Sequence, residues 1–211
     1  MKVLLTGSEG FIGQTCLDSL SEDYKIIRTS RNFTQENEVS IKIDLAFDDL
    51  SKLPDDIDAI VHLASQQPAG DEVSWSHLYS GNVISTLRLW DYAKEKSIKK
   101  FIYISTTSLF TESSPTNKLS HDSLAFPLTE YGLSKCISET LLRLRSKDND
   151  IQTTILRFPS VFGAGQKGGL VKTFYDLALE NKTIDVFNQG KIYRNLLYIT
   201  EAVAAIKLSL E

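Results

Sequence analysis

Thr6-Gly7-Ser8-Glu9-Gly10-Phe11-Ile12-Gly13 restricts the fold of this chain more than any other stretch, because it follows the apolar run Val3-Leu4-Leu5 directly. Ile12, Cys16 and Leu20 then recur at helical spacing on one face. A strand must therefore end, turn tightly and pass into a helix. In such a turn Gly7 permits the sharp bend, Gly10 lets backbone approach a pyrophosphate, and Gly13 allows close helix-to-sheet packing. Helix N–H groups and the helix dipole are left aimed at the anion. A glycine-rich turn without a ligand is the alternative, and the position at the first strand-to-helix junction favours binding. No Lys-Ser or Lys-Thr pair follows the glycines, which excludes a nucleoside triphosphatase loop.

The same alternation continues along the chain. Lys2–Thr6, Lys25–Thr29, Ser40–Asp44, Ala59–Ala64, Phe101–Ser105 and Gln152–Arg157 read as strands of the kind buried on both faces. Trp75, Tyr79, Asn82, Val83, Thr86, Trp90 and Ala93 mark one face of a long helix, and a second helix runs from Tyr131 to about Arg145. Right-handed crossovers between such elements build an α/β, Rossmann-like, doubly wound parallel sheet with helices on both faces. Residues 1–160 are expected to form the dinucleotide-binding domain. Past Arg157 the pattern loosens into glycines, a helix near Leu170–Leu179, a strand at Thr183–Phe187 and a final helix after Thr200. Residues 161–211 are expected to form a small, shortened C-terminal substrate lobe, with elements returning to the main domain.

Composition narrows the partners. The 211 residues are 42% hydrophobic and carry a formal net charge of −4, which provides no electrostatic footprint for nucleic acid or an anionic membrane. The amino-terminal apolar run is too short for a signal-peptide core, and no apolar stretch approaches the roughly 18 residues of a membrane span, so a cytoplasmic protein is expected. Cys16 and Cys136 lack metal-ligand spacing and read as small hydrophobes of the core, with no metal site.

Two further places bear on chemistry. The second strand ends Arg28-Thr29-Ser30-Arg31-Asn32, with no carboxylate where an acid would hold the adenosine ribose. Arg31 is suited to pair with a 2′-phosphate, so NADP(H) is favoured over NAD(H), the alternative being a solvated surface arginine. Tyr131 and Lys135 stand four residues apart, on one face of a helix. A phenol of pKa about 10 is a poor base at neutral pH, and an adjacent ammonium lowers it toward the useful range. The pair follows the strand ending Ser105-Thr106-Thr107-Ser108, a hydroxyl cluster at the sheet edge where ligands of such folds bind.

Taken in order, these motifs resemble the extended short-chain dehydrogenase/reductases, the NAD(P)-dependent nucleotide-sugar epimerase and dehydratase family. The family's glycine turn resembles Thr6 to Gly13, its adenine contact Asp44-Leu45, its fourth-strand motif His62-Leu63-Ala64-Ser65 and its helix asparagine Asn82. Its catalytic triad resembles Thr106, Tyr131 and Lys135, and its post-sheet motif Arg157-Phe158-Pro159-Ser160-Val161-Phe162-Gly163. Taken singly, His62 reads equally as a packed core histidine, Asn82 as a polar helix residue and Arg157 as a salt-bridge partner.

The resemblance implies cofactor contacts at Gly7, Glu9, Gly10, Phe11, Ile12, Arg31, Asp44, Leu45, Leu63, Ala64, Ser65, Asn82, Tyr131, Lys135 and Phe158. It implies substrate contacts at Ser108 and Arg194. Tyr131 becomes the acid/base, Lys135 lowers its pKa and contacts the nicotinamide ribose, and Thr106 hydrogen-bonds the reacting oxygen, with Thr107 as the alternative. The acid pair of the dehydratase subgroup is replaced here by Thr107 and Ser108, and Ser108 also stands where the 3,5-epimerase subgroup has Cys. What remains is alcohol–ketone redox, as in a 4-epimerase or a 4-ketoreductase, on a nucleotide sugar or related small molecule. Against this stands a non-catalytic cofactor-binding sensor or scaffold on the same fold, which has no need of the acid/base pair.

The chain stops at Glu211, soon after Arg194-Asn195-Leu196-Leu197-Tyr198-Ile199, where the resemblance implies more of a nucleotide-sugar lobe. A short natural variant, a truncation or a smaller substrate are the alternatives. Leu78, Leu89, Leu133 and Leu142 are apolar beyond one helix face, and by the resemblance these two helices pair in a two-fold homodimer, scattered surface leucines being the other reading.

Overall fold

The computed structural model describes residues 1–68, 74–110, 119–147, 149–191 and 193–211. Six strands form one parallel sheet: β1 (Lys2–Thr6), β2 (Lys25–Ser30), β3 (Ser40–Lys42), β4 (Ala59–His62), β5 (Lys100–Thr106) and β6 (Gln152–Phe158). Their order is β3-β2-β1-β4-β5-β6. The expected doubly wound sheet therefore forms, and its order reverses between β1 and β4, where Thr6 lies beside His62. A crevice opens at the carboxyl ends of the strands at such a reversal.

Alternation along each strand divides the core. Val3, Leu5, Val61, Ile102 and Ile104 face one side, with α1 (Phe11–Leu20) and α6 (Ile199–Leu210) packed over them. Leu4, Ile60, Phe101 and Tyr103 face the other, under α3 (Ser85–Glu95) and α4 (Glu130–Ser146). Cys16 is buried in the first of these cores, and burial pushes its thiol up to about 12. Residues 199–210 return to the main sheet through Ile199, Ala202, Val203, Ile206 and Leu210. Each large apolar side chain so buried contributes roughly 1.5–3 kcal/mol.

The structure departs from the sequence reading in four places. The long helix is α2 (Trp75–Leu78), a π-helical stretch over Tyr79–Ile84 and then α3, so Asn82 sits in a locally widened turn. No strand forms at Thr183–Phe187, where a 3-10 turn spans Phe187–Gly190 instead. The missing partner is taken by another segment: Pro159 cannot continue the ladder of β6, the chain re-emerges as β7 (Ser160–Phe162), and β8 (Leu196–Tyr198) pairs with it in parallel. Third, β3 ends at Lys42 rather than Asp44, because the Asp44 side chain accepts from the Ala46 N–H at 2.9 Å and turns the chain out of the sheet. Finally, Leu78, Leu89 and Leu142 belong to the core and only Leu133 of the four surface candidates is exposed, at 42%. Helix α5 (Leu170–Leu179) forms as expected, with none of its residues fully buried.

Candidate active site

The glycine turn is shaped by contacts a side chain would prevent. Gly7 has φ of +68°, and a Cβ there would lie 2.6 Å from the Ala64 nitrogen. A Cβ on Gly13 would lie 2.1 Å from the Gly7 carbonyl oxygen, so the first turn of α1 rests directly on the strand end. Gly10 caps α1 with no side-chain hydrogen bond, leaving the first N–H groups of the helix to a ligand. This cradle of backbone donors under a helix dipole fits the pyrophosphate of a dinucleotide.

On one side of the turn is a cavity of about 320 Å³ lined by Glu9, Ser30, Arg31, Asp44, Leu45, Ala64 and Gln66 among others. Arg88 holds the Asp44 turn in place by donating to the carbonyls of Leu45 and Asp48, at 3.1 and 2.6 Å. Arg31 reaches the cavity too, with its guanidinium 3.8 Å from the Asp44 carboxylate and donating to the Gln66 side-chain carbonyl at 3.2 Å. Arg28–Asn32 carries no acid of its own, but Glu9 reaches the end of β2 from the glycine turn, and its carboxylate accepts from the Ser30 hydroxyl at 2.6 Å. The reason is tertiary. Parallel pairing sets Thr6 beside Thr29, so the residues after each strand meet.

His62 lies behind the turn and is fully buried. Thr86 donates its one hydroxyl proton to the Asn82 carbonyl at 2.5 Å, so at 3.0 Å it accepts from the His62 Nε2 proton. Nδ1 then accepts from Thr6 at 2.7 Å, and Thr6 accepts from the Ala64 N–H at 3.1 Å. Burial, with Lys135 nearby, pushes the imidazole down to about 3, so it stays neutral and this bonding direction holds. His62 is a packed strut joining the ends of β1 and β4 to the helix behind them.

Asn82 is the second strut. It is buried, accepting from Ser65 at 3.0 Å and the Gln66 N–H at 2.7 Å while donating to the Gln66 carbonyl at 3.1 Å and Ser134 at 2.8 Å. With both ends of the amide engaged, it ties the loop after β4 to α4. Ser65 and Gln66 owe their placement to it.

Beyond the turn lies the larger cavity, about 1,000 Å³, which shares Gly7, Gly10, Leu63 and Ser65 with the first. Phe11, Ile12, Thr106, Thr107, Ser108, Tyr131, Lys135, Phe158 and Arg194 all line it, so its walls combine the sequence-predicted chemistry. Thr129 caps α4 by accepting from the Gly132 N–H at 3.0 Å, and the helix then presents Tyr131, Lys135 and Glu139 at successive four-residue steps. Thr106 ends β5, donating to Ser108 Oγ at 3.1 Å and accepting the Ser108 N–H at 3.0 Å.

Electrostatics differ from the simple expectation. Burial pushes the Lys135 ammonium down to about 7, opposed by the Glu139 carboxylate; Nζ sits 4.1 Å above the Tyr103 ring. Burial likewise holds the Tyr131 phenol above its usual range, opposed by the hydrogen bond from Gln67. Both groups of the pair are thus shifted chiefly by burial, each toward its neutral form. Two residues the sequence reading missed enter here. Gln67 donates to Tyr131 Oη at 2.9 Å, and nothing in its loop position signals this. Glu139, which the four-residue spacing from Lys135 did signal, is buried and takes three contacts of 2.8–3.1 Å from the Arg157 guanidinium. Arg157 is thus the salt-bridge partner.

Residues 3–211 match the NAD dependent epimerase/dehydratase family. The chain is 30% identical to an uncharacterized UDP-glucose epimerase, YtcB, of Bacillus subtilis, with 98% of this chain and 71% of that protein aligned. It is 26% identical to a putative UDP-glucose 4-epimerase of Methanocaldococcus jannaschii, over 99% of this chain and 73% of the relative. Among solved structures, UDP-glucuronic acid 4-epimerase of Bacillus cereus in complex with UDP-glucuronic acid and NAD superimposes with a TM-score of 0.88 at 28% identity, covering 100% of this chain and 73% of the other.

Proposed function

The chain belongs to the NAD dependent epimerase/dehydratase family, and we propose that it acts on a nucleotide sugar, as a 4-epimerase or 4-ketoreductase using a nicotinamide dinucleotide. One observation carries the reading: a threonine hydroxyl, a tyrosine phenol and a buried ammonium line one cavity, and that cavity adjoins the glycine turn. The relative whose structure contains UDP-glucuronic acid and NAD supports a UDP-sugar as the substrate class. In this proposal the pyrophosphate lies on Gly7, Gly10 and the first turn of α1, the adenosine by Asp44, Leu45 and Ala64, and the nicotinamide by Lys135 and Phe158.

When bound, the nicotinamide supplies the hydride acceptor and donor. The chain's own residues handle the proton and the position of the sugar. Tyr131 Oη takes the proton from a sugar hydroxyl in the oxidative direction and returns it to the ketone oxygen in the reductive one. Lys135, pushed down to about 7, places a cation beside the cleft without fixing its charge at neutral pH. Thr106 turns its hydroxyl from Ser108 to the reacting oxygen, while Ser108 and Arg194 contact the substrate. A homodimer is part of the proposal, through the surface of α4 and the helix before it, where Leu133, Leu144 and Tyr79 are exposed.

The test is Tyr131→Phe assayed against a panel of UDP-sugars and keto-sugars. Turnover by the wild type and its loss in the variant, with dinucleotide binding retained, is the expected result. Full activity of the variant would remove Tyr131 from the acid/base role, and binding without turnover of any sugar by the wild type would favour a sensor.

A further inference from the structure

Gln67 reaches the reaction centre from the loop after β4, and its backbone is fixed before its side chain begins. The preceding residue, Gln66, has its N–H and its carbonyl both held by the buried Asn82 amide, at 2.7 and 3.1 Å, and its own side chain donates to the Gln67 carbonyl at 3.3 Å. From that base the Gln67 amide lines the larger cavity with Thr106 and Tyr131 and donates to Tyr131 Oη at 2.9 Å. A primary amide carries two N–H donors and an acceptor oxygen, so this contact uses one donor of the group. Among the described residues, Tyr131 is its side-chain partner.

The rest of the amide has a definite complement. A sugar hydroxyl that gives its proton to Tyr131 lies about 2.7–2.8 Å from Oη. On a pyranose the hydroxyl of the neighbouring carbon is gauche to it in either epimer, roughly one hydrogen-bond length away. Tyr131 Oη, the reacting oxygen, the neighbouring hydroxyl and the Gln67 amide then close a four-sided ring of contacts, and the side from Gln67 to Tyr131 is already in place. For chemistry at C4 the neighbour is the 3-hydroxyl, because C5 carries none. Oxidation at C4 leaves that hydroxyl unchanged, so a contact to it persists when the reacting oxygen has become a ketone.

Resting on the reading of the cleft as a nucleotide-sugar site, we propose that Gln67 binds the hydroxyl next to the reacting carbon and makes this chain selective for UDP-sugars in which that hydroxyl is free. Gln67 then serves the phenol and the sugar ring at once, and it holds the ring in place at the ketone stage.

The test is kcat/KM of wild type and Gln67→Ala for the UDP-sugar that the wild type turns over fastest, for its 3-deoxy counterpart and for its 2-deoxy counterpart. All three keep the reacting hydroxyl, and a shift in the Tyr131 pKa scales them alike, so the ratio of parent to 3-deoxy sugar isolates the neighbouring contact. A hydrogen bond left unmade in the site predicts a wild-type ratio of about tenfold or more, falling to about threefold or less in Gln67→Ala, while the ratio of parent to 2-deoxy sugar is the same in both proteins. Gln67 is an exposed loop residue, so its alanine variant keeps the fold. Equal kcat/KM of the wild type for the parent and 3-deoxy sugars overturns the inference and leaves the reading of the cleft standing, as does a preference that survives Gln67→Ala or a 2-deoxy ratio that falls with it. Turnover of no UDP-sugar by the wild type overturns that reading, and this inference with it.

Discussion

The side-chain amide of Gln67 donates a hydrogen bond of 2.9 Å to the phenolic oxygen of Tyr131, joining the loop after β4 to the first turn of α4. A donor at that oxygen stabilises the phenolate, and it opposes the burial that holds the phenol high. Gln67→Ala is therefore expected to raise the pKa governing the acid/base step. A rise of about one unit lowers turnover at neutral pH up to tenfold, with the loss recovered at alkaline pH. The pH profile of kcat/KM checks this, and tyrosinate absorbance, with Tyr131→Phe as the blank, reports the same shift without turnover. An unshifted profile would make the contact a packing detail.

Lys135 is expected to cost stability for the sake of the site. Its folded-state value of about 7 lies below the value of 10.5 it takes in the unfolded chain. Below pH 7 both states hold the proton and the full penalty applies. Between pH 7 and 10.5 the unfolded chain holds the proton and the folded one does not, so stability gains as pH rises through that window. Lys135→Met, which abolishes turnover in the proposed mechanism, is expected to be more stable than wild type by about 2–4 kcal/mol at pH 6–7. Urea unfolding across pH should show the difference narrowing toward pH 10. A variant less stable than wild type at pH 7 would mean that the ammonium is well solvated where it stands.

The ion pair of Glu139 with Arg157 behaves differently, because its two charges satisfy each other. Side-chain exposure is 4% for Glu139 and 17% for Arg157. Glu139→Gln leaves a largely buried guanidinium without its partner and is expected to cost about 2–4 kcal/mol. The double change Glu139→Leu with Arg157→Leu is expected to cost less than the sum of the two single ones. Chemical denaturation of the four proteins measures the coupling, and additive losses would show the pair to be energetically idle.

At the glycine turn the expectation is steric. Gly13→Ala places a Cβ 2.1 Å from the Gly7 carbonyl, so α1 must move off the end of β1. The displacement costs about 1–3 kcal/mol. It also spoils the backbone cradle, so dinucleotide affinity is expected to fall further than global stability. Parallel measurement of NADH binding and thermal unfolding separates the two, and unchanged affinity would mean that the cradle tolerates the shift.

What could be read in the chain before its fold was known was local. The apolar run at Val3–Leu5, the three glycines after it and the four-residue step from Tyr131 to Lys135 each declare themselves within a few residues, because strand, turn and helix geometry are short-range properties. The strand expected at Thr183–Phe187 fails for the complementary reason: β propensity proposes a strand, but pairing requires an open edge, and Leu196–Tyr198 takes the edge of β7 instead.

By itself, then, the sequence determined the parallel α/β sheet, the anion-binding turn and the helix that carries a phenol and an ammonium on one face. Only the tertiary structure decided which groups those residues meet: Glu9 with Ser30, Gln67 with Tyr131, Glu139 with Arg157 and His62 between Thr6 and Thr86. It also buried the Lys135 ammonium, which pulls its pKa below the usual lysine range. Periodicity encodes the direction in which a side chain leaves its own element. Desolvation and ionic pairing depend on what arrives from elsewhere, and these set the charge states of the cleft.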